Sequence, residues 1–338
     1  MGYKRLDPDD FVVSAQAITS TCWTGNVVNL TTFFTSSNQV SSISGKYYTN
    51  VFNADSGSAD RESQFQIAYG NKNGGGALAY NNAAAAGVST TSTIYGQYRS
   101  LVLEDENSDF IFGNFTGSSI YVISVERARY KESLLPGSLN LTIGKASKTL
   151  RLTDNSKDVT LPTYYGTQRA YQIVSGSNGA AYSGNGYTPA SGSYGLFLPD
   201  TSTIILNAAA LDDNSAGGGG INLGTVTTAN SAGNNNQRLF NAIVSGSNFG
   251  LNSEETITSD FVFVRARNSE FNYSENPSYI SGSTGEVIYN YFINNPQAYL
   301  TTVGLYNDSN ELLAVAKLSK PLNKNFTKEA LIRVKLDF

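Results

Sequence analysis

The sequence predicts a mainly β protein, with antiparallel, β-sandwich-like domains, long loops rich in Gly, Ser and Asn, and little helix. Aromatic residues make up 12% of the 338 residues and are almost all Tyr (21) or Phe (17), which suit the pleated surface of a sheet. The 32 glycines and the many Asn and Ser residues supply turns. The third observation is the short, alternating pattern of apolar residues along the chain. The chain is too apolar and aromatic to be disordered as a whole.

The composition divides the chain into three regions. We expect an N-terminal β domain, a middle region rich in small residues, and a C-terminal β domain that ends in a strand at Phe338. These regions cover residues 1–160, 161–258 and 259–338.

The N-terminal region carries the first clear strand patterns. Residues 64–69 alternate polar and apolar side chains, as a half-buried strand does, and residues 47–52 form a second candidate. Residues 119–125 are apolar on both faces and predict a central strand. Residues 70–92 are rich in Gly, Asn and Ala and predict a long loop, whereas the spacing in 93–103 permits either a short helix or a strand.

The middle region is dominated by small residues. Residues 195–206 predict a hairpin that turns at Pro199 and Asp200. The hexapeptide Ile-Val-Ser-Gly-Ser-Asn occurs at 173–178 and again at 243–248, but the flanking sequences match poorly. We favour chance or a shared turn over a true repeat. Residues 210–236, like 70–92, hold few large apolar groups, and we expect both segments to be loops that become ordered through partners.

The C-terminal region gives the sharpest pattern. Residues 261–267 predict a strand, and residues 299–318 predict a hairpin that turns at Asn307–Asn310. Ile332, Val334, Leu336 and Phe338 then alternate with polar residues up to the last position. We expect the ring of Phe338 to be held in a sheet with this hairpin or with the equivalent hairpin of a neighbouring subunit.

The residue types exclude several kinds of chemistry. The chain has no His, which rules out Ser–His–Asp and Cys–His nucleophiles, and its one Cys rules out Cys/His zinc sites. Cys22 beside Trp23 is read as a small buried hydrophobe. Phosphate-binding motifs are missing, so we expect no cofactor. The net charge of −4 without a basic patch argues against nucleic acid, and no run of about 20 apolar residues predicts a membrane span.

Acidic clusters remain as candidates for chemistry. Paired carboxylates could hydrolyse glycosidic bonds, and Asp/Asn clusters could bind calcium. Both kinds lie in polar, turn-like stretches, and we interpret them as solvated loops rather than as catalytic or metal sites. The glycosidase candidates are Glu104, Asp105 and Glu106 and the pair Glu254 and Glu255; the calcium candidates are Asp105–Asp109, Asp154–Asp158 and Asp212–Asn214.

Several long segments resemble a known protein family. The most specific is the end of the chain, FTKEALIRVKLDF (326–338), together with the hairpin segments before it. The remaining ones lie in the first half, and the full set is 44–53, 64–70, 94–101, 126–137, 299–307, 312–319 and 326–338. The chain is similar to virion structural proteins of large contractile-tailed phages, especially those that infect marine cyanobacteria. The resemblance implies a non-catalytic component of the tail or baseplate that contacts other virion proteins and copies of itself.

Two alternative functions are kept beside this expectation. A receptor- or glycan-binding module of the tail would present aromatic side chains on exposed loops, for which Tyr182, Tyr187 and Tyr194 in the Gly/Ser-rich stretch are the candidates. Their competing interpretation is packing against a neighbouring subunit, as is expected for Phe338. A glycan-cleaving tail enzyme would instead need two carboxylates within a cleft.

Overall fold

The computed structural model describes residues 3–36, 39, 44–76, 89–182, 192–214, 219–228, 234–274 and 276–337. It confirms the predicted fold class, because 44% of the structure is strand and 16% is helix, and the large sheets are antiparallel. No helix among these residues is long and apolar enough to cross a bilayer.

The strands are numbered in chain order. They are β1 (Phe11–Thr21), β2 (Asn29–Leu30), β3 (Thr49–Phe52), β4 (Ser63–Asn71), β5 (Phe110–Phe112), β6 (Phe115–Gly117), β7 (Ser119–Val125), β8 (Ser133–Leu134), β9 (Asn140–Lys145), β10 (Lys148–Asp154), β11 (Thr163–Tyr165), β12 (Gln168–Ser177), β13 (Ala180–Ala181), β14 (Gly195–Leu198), β15 (Thr203–Asn207), β16 (Asn248–Gly250), β17 (Asn252–Ala266), β18 (Ala298–Tyr306), β19 (Leu312–Lys324) and β20 (Ala330–Asp337). The α-helices are α1 (Thr90–Leu103), α2 (Ala208–Asp212), α3 (Asn234–Gly246) and α4 (Asn290–Asn294).

The chain folds into two compact units. The large unit is residues 18–255, and the small unit combines residues 1–17 with 256–338. The boundary that we expected at 160/161 is wrong, because it falls between β10 and β12, which are neighbours in one sheet. Residues 161–255 are therefore part of the large unit rather than a region of their own.

A sheet of twelve strands forms the frame of the large unit. Its order is β2-β16-β9-β10-β12-β14-β15-β7-β4-β3, with β11 and β13 attached to β12. The predicted central strand at 119–125 is confirmed, since β7 pairs with β15 on one side and β4 on the other. The hairpin at Pro199 and Asp200 is also confirmed, because β14 and β15 flank it with Leu198 opposite Thr203.

The faces of this sheet carry two apolar clusters. The larger contains Trp23, Phe65 and Phe249, and α3 adds Leu239 and Ile243 to it. The smaller lies under α1, a helix at the position where the sequence left helix and strand open. The side chain of Ser89 accepts a hydrogen bond from the Thr91 backbone and caps the start of α1, which satisfies one of its unpaired amides.

The helices and strands of the large unit also test the possible repeat and the predicted loops. The hexapeptide at 173–178 lies in and just after β12, whereas 243–248 spans the end of α3 and the start of β16, so the two copies are not a structural repeat. Within 210–236, the described stretch 219–228 is irregular but buries Ile221 and Leu223. The expectation that 210–236 is a loop is wrong at its two ends, because 210–212 belong to α2 and 234–236 belong to α3. The other predicted loop, 70–92, is also wrong at its ends, because 70–71 belong to β4 and 90–92 belong to α1. Its residues 77–88 lie outside the described residues.

The small unit is built from one sheet and one hairpin. The sheet has the order β1-β17-β20, with the short strand β8 also paired to the start of β17. Among the described strands, β18 pairs only with β19. The hairpin confirms the predicted turn at Asn307–Asn310, where the Asn307 side chain accepts hydrogen bonds from the backbone of Ser309 and Glu311. Asn310 adopts the left-handed conformation, with φ of 61°.

The C-terminal strand shows the predicted alternation but has a different partner. Ile332 and Val334 are buried while Arg333 and Lys335 are exposed. β20 pairs with β17, from Ser259 opposite Asp337 to Ala266 opposite Ala330, so the predicted sheet between this strand and the 299–318 hairpin is wrong. The hairpin instead packs its inner face against β17 and β20 through side chains such as Val303 and Leu305. Phe338 lies outside the described residues.

Candidate interaction surface

Glu254, one member of the predicted pair of Glu254 and Glu255, is part of an ion-pair network. Glu254 Oε1 lies 3.0 Å from Arg169 Nη2, which also lies 2.7 Å from Asp200 Oδ1. Ser133 Oγ donates to Glu254 Oε1 at 3.1 Å. Burial alone would lower the pKa of Arg169, but hydrogen bonds and attraction from the two carboxylates outweigh it and raise the pKa. The guanidinium of Arg169 thus engages the carboxylates of Glu254 and Asp200.

The second predicted cluster closes a turn after α1. Asp105 accepts hydrogen bonds from the Asn107 backbone at 2.9 Å and from the Ser108 hydroxyl. These hydrogen bonds hold the pKa of Asp105 below its ordinary value, which favours the carboxylate form. A general acid needs the opposite shift, so the local chemistry favours a turn over a glycosidase acid.

In the candidate calcium cluster at 154–158, carboxylate oxygens accept hydrogen bonds from backbone amides. Asp154 is buried, and its Oδ2 accepts hydrogen bonds from the Gly137 backbone at 2.7 Å and the Ser156 backbone at 3.3 Å. Asp158 Oδ2 accepts one from the Ala181 backbone at 2.7 Å. In the described part of the chain, no group of three or more Cys, Asp or Glu side chains is arranged to hold a metal ion.

The interpretation of Cys22 is confirmed. Its side chain is buried, and burial raises the pKa of the thiol to about 12, which leaves it protonated and unreactive near neutral pH. Trp23 beside it is buried as well and packs against Phe249, to whose carbonyl the indole Nε1 donates at 2.6 Å.

The predicted binding tyrosines do not form one group. Tyr182 is exposed, and hydrogen bonds from Ser177 and Arg151 lower the pKa of its hydroxyl. The expectation that Tyr194 is presented on an exposed loop is wrong: the ring is fully buried in the large core, and its hydroxyl donates to the Gly219 carbonyl at 3.0 Å. Tyr187, like Phe338, falls outside the residues that the structure describes.

Exposed apolar side chains concentrate in the small unit instead. More than half of the large apolar side chains that are exposed among the described residues lie there, although this unit is under a third of the chain. β1 exposes Phe11 (51%) and Val13 (69%), together with Val12. Contiguous exposed apolar groups on a soluble protein mark a contact site.

The hairpin adds a second exposed set. The inner face of β18 and β19 is half-buried, while their outer faces expose large side chains. Tyr306 meets Tyr3 edge to face, with ring centroids 5.3 Å apart. The exposed apolar residues of the hairpin are Tyr299, Tyr306, Leu312, Leu313, Val315 and Leu322.

An aromatic cluster before the hairpin was missed by the sequence analysis. Tyr279 contacts Tyr289 and Phe292, with ring centroids 5.8 Å and 5.4 Å apart, and Tyr291 contacts Tyr289 at 5.4 Å. Phe292, in α4, is the buried member, and Tyr289 and Tyr291 are exposed. The sequence feature that could have revealed this cluster is the apolar run at 287–293 within a polar, Asn-rich stretch. The run does not alternate as a strand does, so the sequence pattern did not single it out.

The small unit buries little beneath these surfaces. Among the described residues, its apolar cluster is formed by the buried side chains of Val262, Ile332 and Val334, with half-buried neighbours around them. A folded core residue normally contributes about 1.5–3 kcal/mol through burial, and conformational entropy opposes folding at every residue. Burying the exposed apolar surface of this unit against a partner therefore adds to the stability that its small core provides.

No family model, no curated protein and no solved structure matches the chain.

Proposed function

We propose that the protein is a non-catalytic structural subunit that acts through protein–protein contacts, and that it belongs to the tail or baseplate of a contractile-tailed phage. The observation that carries the first part is the exposed apolar surface of the small unit, above a thin core. The second part rests on the resemblance of segments such as 326–338 to virion structural proteins.

The chemistry of the described residues supports a structural over an enzymatic function. Of the carboxylates considered for a glycosidase pair, Glu254 is engaged by Arg169 and Asp105 by the turn after α1. The apolar surface, by contrast, favours binding to a partner. Burying it stabilises the complex by roughly 25 cal/mol per Å² of apolar surface.

The first experiment asks where the protein resides. Virions are purified from cells that carry the encoding phage, stripped stepwise, and analysed by mass spectrometry with immunogold labelling. The proposal expects the chain in intact particles, at the tail or baseplate, in a fixed copy number. Its absence from purified particles, or release of reducing ends from host polysaccharide by the isolated chain, would contradict the proposal.

A receptor- or glycan-binding function is the second candidate, and the cluster of Tyr279, Tyr289 and Tyr291 favours it. Exposed tyrosine rings such as those of Tyr289 and Tyr291 suit the apolar faces of sugar rings. Tyr291→Ala should abolish binding of the chain to host surface glycan under this alternative, while Tyr299→Ala, at an equally exposed tyrosine (62% and 61%), should not. Equal binding by both variants, or none by the wild-type chain, would remove this candidate.

A further inference from the structure

β1 is an edge strand that lacks the usual protection of an edge. Natural edge strands carry charges, proline or a bulge that discourages a further strand from pairing. The eleven residues of β1 include no charged residue, no Pro and no Gly. All of them except Thr21 are exposed, although Phe11, Val13 and Ile18 are large and apolar. β1 therefore presents an open template for another strand.

The same sheet has a second edge at β20. Among the described strands, β20 pairs with β17 alone. Its inner face carries Ile332 and Val334, and its outer face carries Arg333 and Lys335. The two edges thus differ in chemistry: one is uncharged and the other carries cations.

The two edge strands run in the same direction. Near the start of the chain, Lys4 Nζ donates to the carbonyl of Arg265, close to the end of β17, at 2.5 Å. Just after β1, the Cys22 backbone donates to the carbonyl of Leu251, just before β17, at 3.3 Å. β1 is therefore antiparallel to β17, as β20 is. A second copy placed beside the first in the same orientation brings its β1 alongside β20 as a parallel pair.

The charges at the start of the two edges are complementary. Asp7, Asp9 and Asp10 form the turn that leads into β1, and no basic group lies within salt-bridge distance of them in the described part of the chain. At the start of β20, Arg333 and the neighbouring Arg265 face outward, and neither has a carboxylate at salt-bridge distance among the described residues.

We infer that β1 of one copy of this chain pairs with β20 of the next, with the acidic turn of one copy against Arg265 and Arg333 of the other. This inference rests on the proposed function, because it names a second copy of the chain as the partner of the exposed surface. The contact is head-to-tail, so repeating it generates a ring or an open filament according to the angle between successive copies. It places the side chains of a neighbouring strand beside the exposed apolar side chains of β1.

The first test compares association of the full chain and two lysine variants by sedimentation velocity over a wide range of concentrations. Val13→Lys places a charge on β1, and the matched control Val28→Lys adds the same charge at an exposed valine of the large unit. Association of the wild-type chain should weaken at high salt. Val13→Lys should raise the dissociation constant at least about tenfold, and Val28→Lys should leave it unchanged. Equal effects of the two variants would overturn the inference.

The second test exchanges charge between the edges. Asp7→Lys with Asp9→Lys reverses one edge, and Arg265→Glu with Arg333→Glu reverses the other. Each doubly substituted chain alone should remain monomeric, whereas an equal mixture should associate, since opposite charges then meet at every contact. Unchanged melting of each variant shows that it is folded. A mixture that stays monomeric, or single variants that associate like the wild-type chain, would refute the pairing.

The inference and the proposed function fail in different ways. A wild-type chain that is monomeric at every concentration overturns pairing with a second copy. If that chain is nevertheless present in purified virions, the structural function stands with a different protein as partner. Absence from virions removes the proposed function, whatever the chain does in sedimentation.

Discussion

At the scale of single residues, the fold buries polar groups that composition does not single out. Lys324 is fully buried, and its ammonium donates to Asn272 Oδ1 at 2.8 Å and to the carbonyls of Asn268 and Asn325 at 3.2 Å and 3.1 Å. Lys is rarely buried without such partners, so the sequence gives no reason to place it inside. The prediction for Tyr194 was wrong for a related reason. A tyrosine in a Gly/Ser-rich stretch is predicted to be exposed unless the residues that pack around it are known.

Asp154 offers a test of burial through pH. Burial raises the pKa of its carboxyl group, although hydrogen bonds from Ser156 and Gly137 oppose the shift. Between the ordinary pKa and this raised value, the folded state holds more protons than the unfolded chain, so its stability falls as pH rises. Asp154→Asn removes that fall, and the variant should gain stability relative to the wild-type chain as pH increases through the window.

The measurement is the free energy of unfolding in urea from about pH 4 to about pH 8. Asp158→Asn, which removes an exposed carboxylate from the same turn, is the control. Parallel pH profiles for Asp154→Asn and the wild-type chain would show that the carboxyl group at 154 is not shifted by burial.

At the scale of elements, short sequence patterns correctly predicted features that depend on residues close together in the chain. The central strand β7, the turn at Pro199 and the alternation in β20 follow from short runs of residues, and the structure has all three. The partner of β20 was predicted wrongly because alternation fixes which face is buried but not which strand lies beside it. β1 was not recognised as a strand, since a strand without a buried face shows no alternation.

The register of β20 predicts opposite results for two adjacent positions. Ile332→Ala removes a buried side chain and should cost about 2–4 kcal/mol of unfolding free energy. Leu331→Ala, on the outer face at 58% exposure, should cost about 0.5 kcal/mol or less in the monomer. Chemical denaturation of both variants at a concentration where the chain is monomeric measures the difference. Equal losses would mean that β20 has another register.

At the scale of the whole molecule, the division into units was the hardest feature to foresee. The small unit brings residues 1–17 together with 256–338, a pairing across most of the chain. Sequence periodicity reports on neighbours within a few residues and gives no information on such long-range pairing. The same limit applies to the interaction surface, because exposed apolar residues read as candidate core until the fold shows that nothing in the described chain covers them.

We propose that the small unit is the part of the protein that assembles. The decisive measurement is hydrogen–deuterium exchange of the chain, free in dilute solution and within purified virions. Backbone amides that gain partners or lose contact with water exchange more slowly. We expect strong new protection in 11–18 and in the exposed hairpin at 299–315, with little change in the central strand at 119–125. Protection confined to the large unit, or unchanged exchange in 11–18 within the particle, would contradict it.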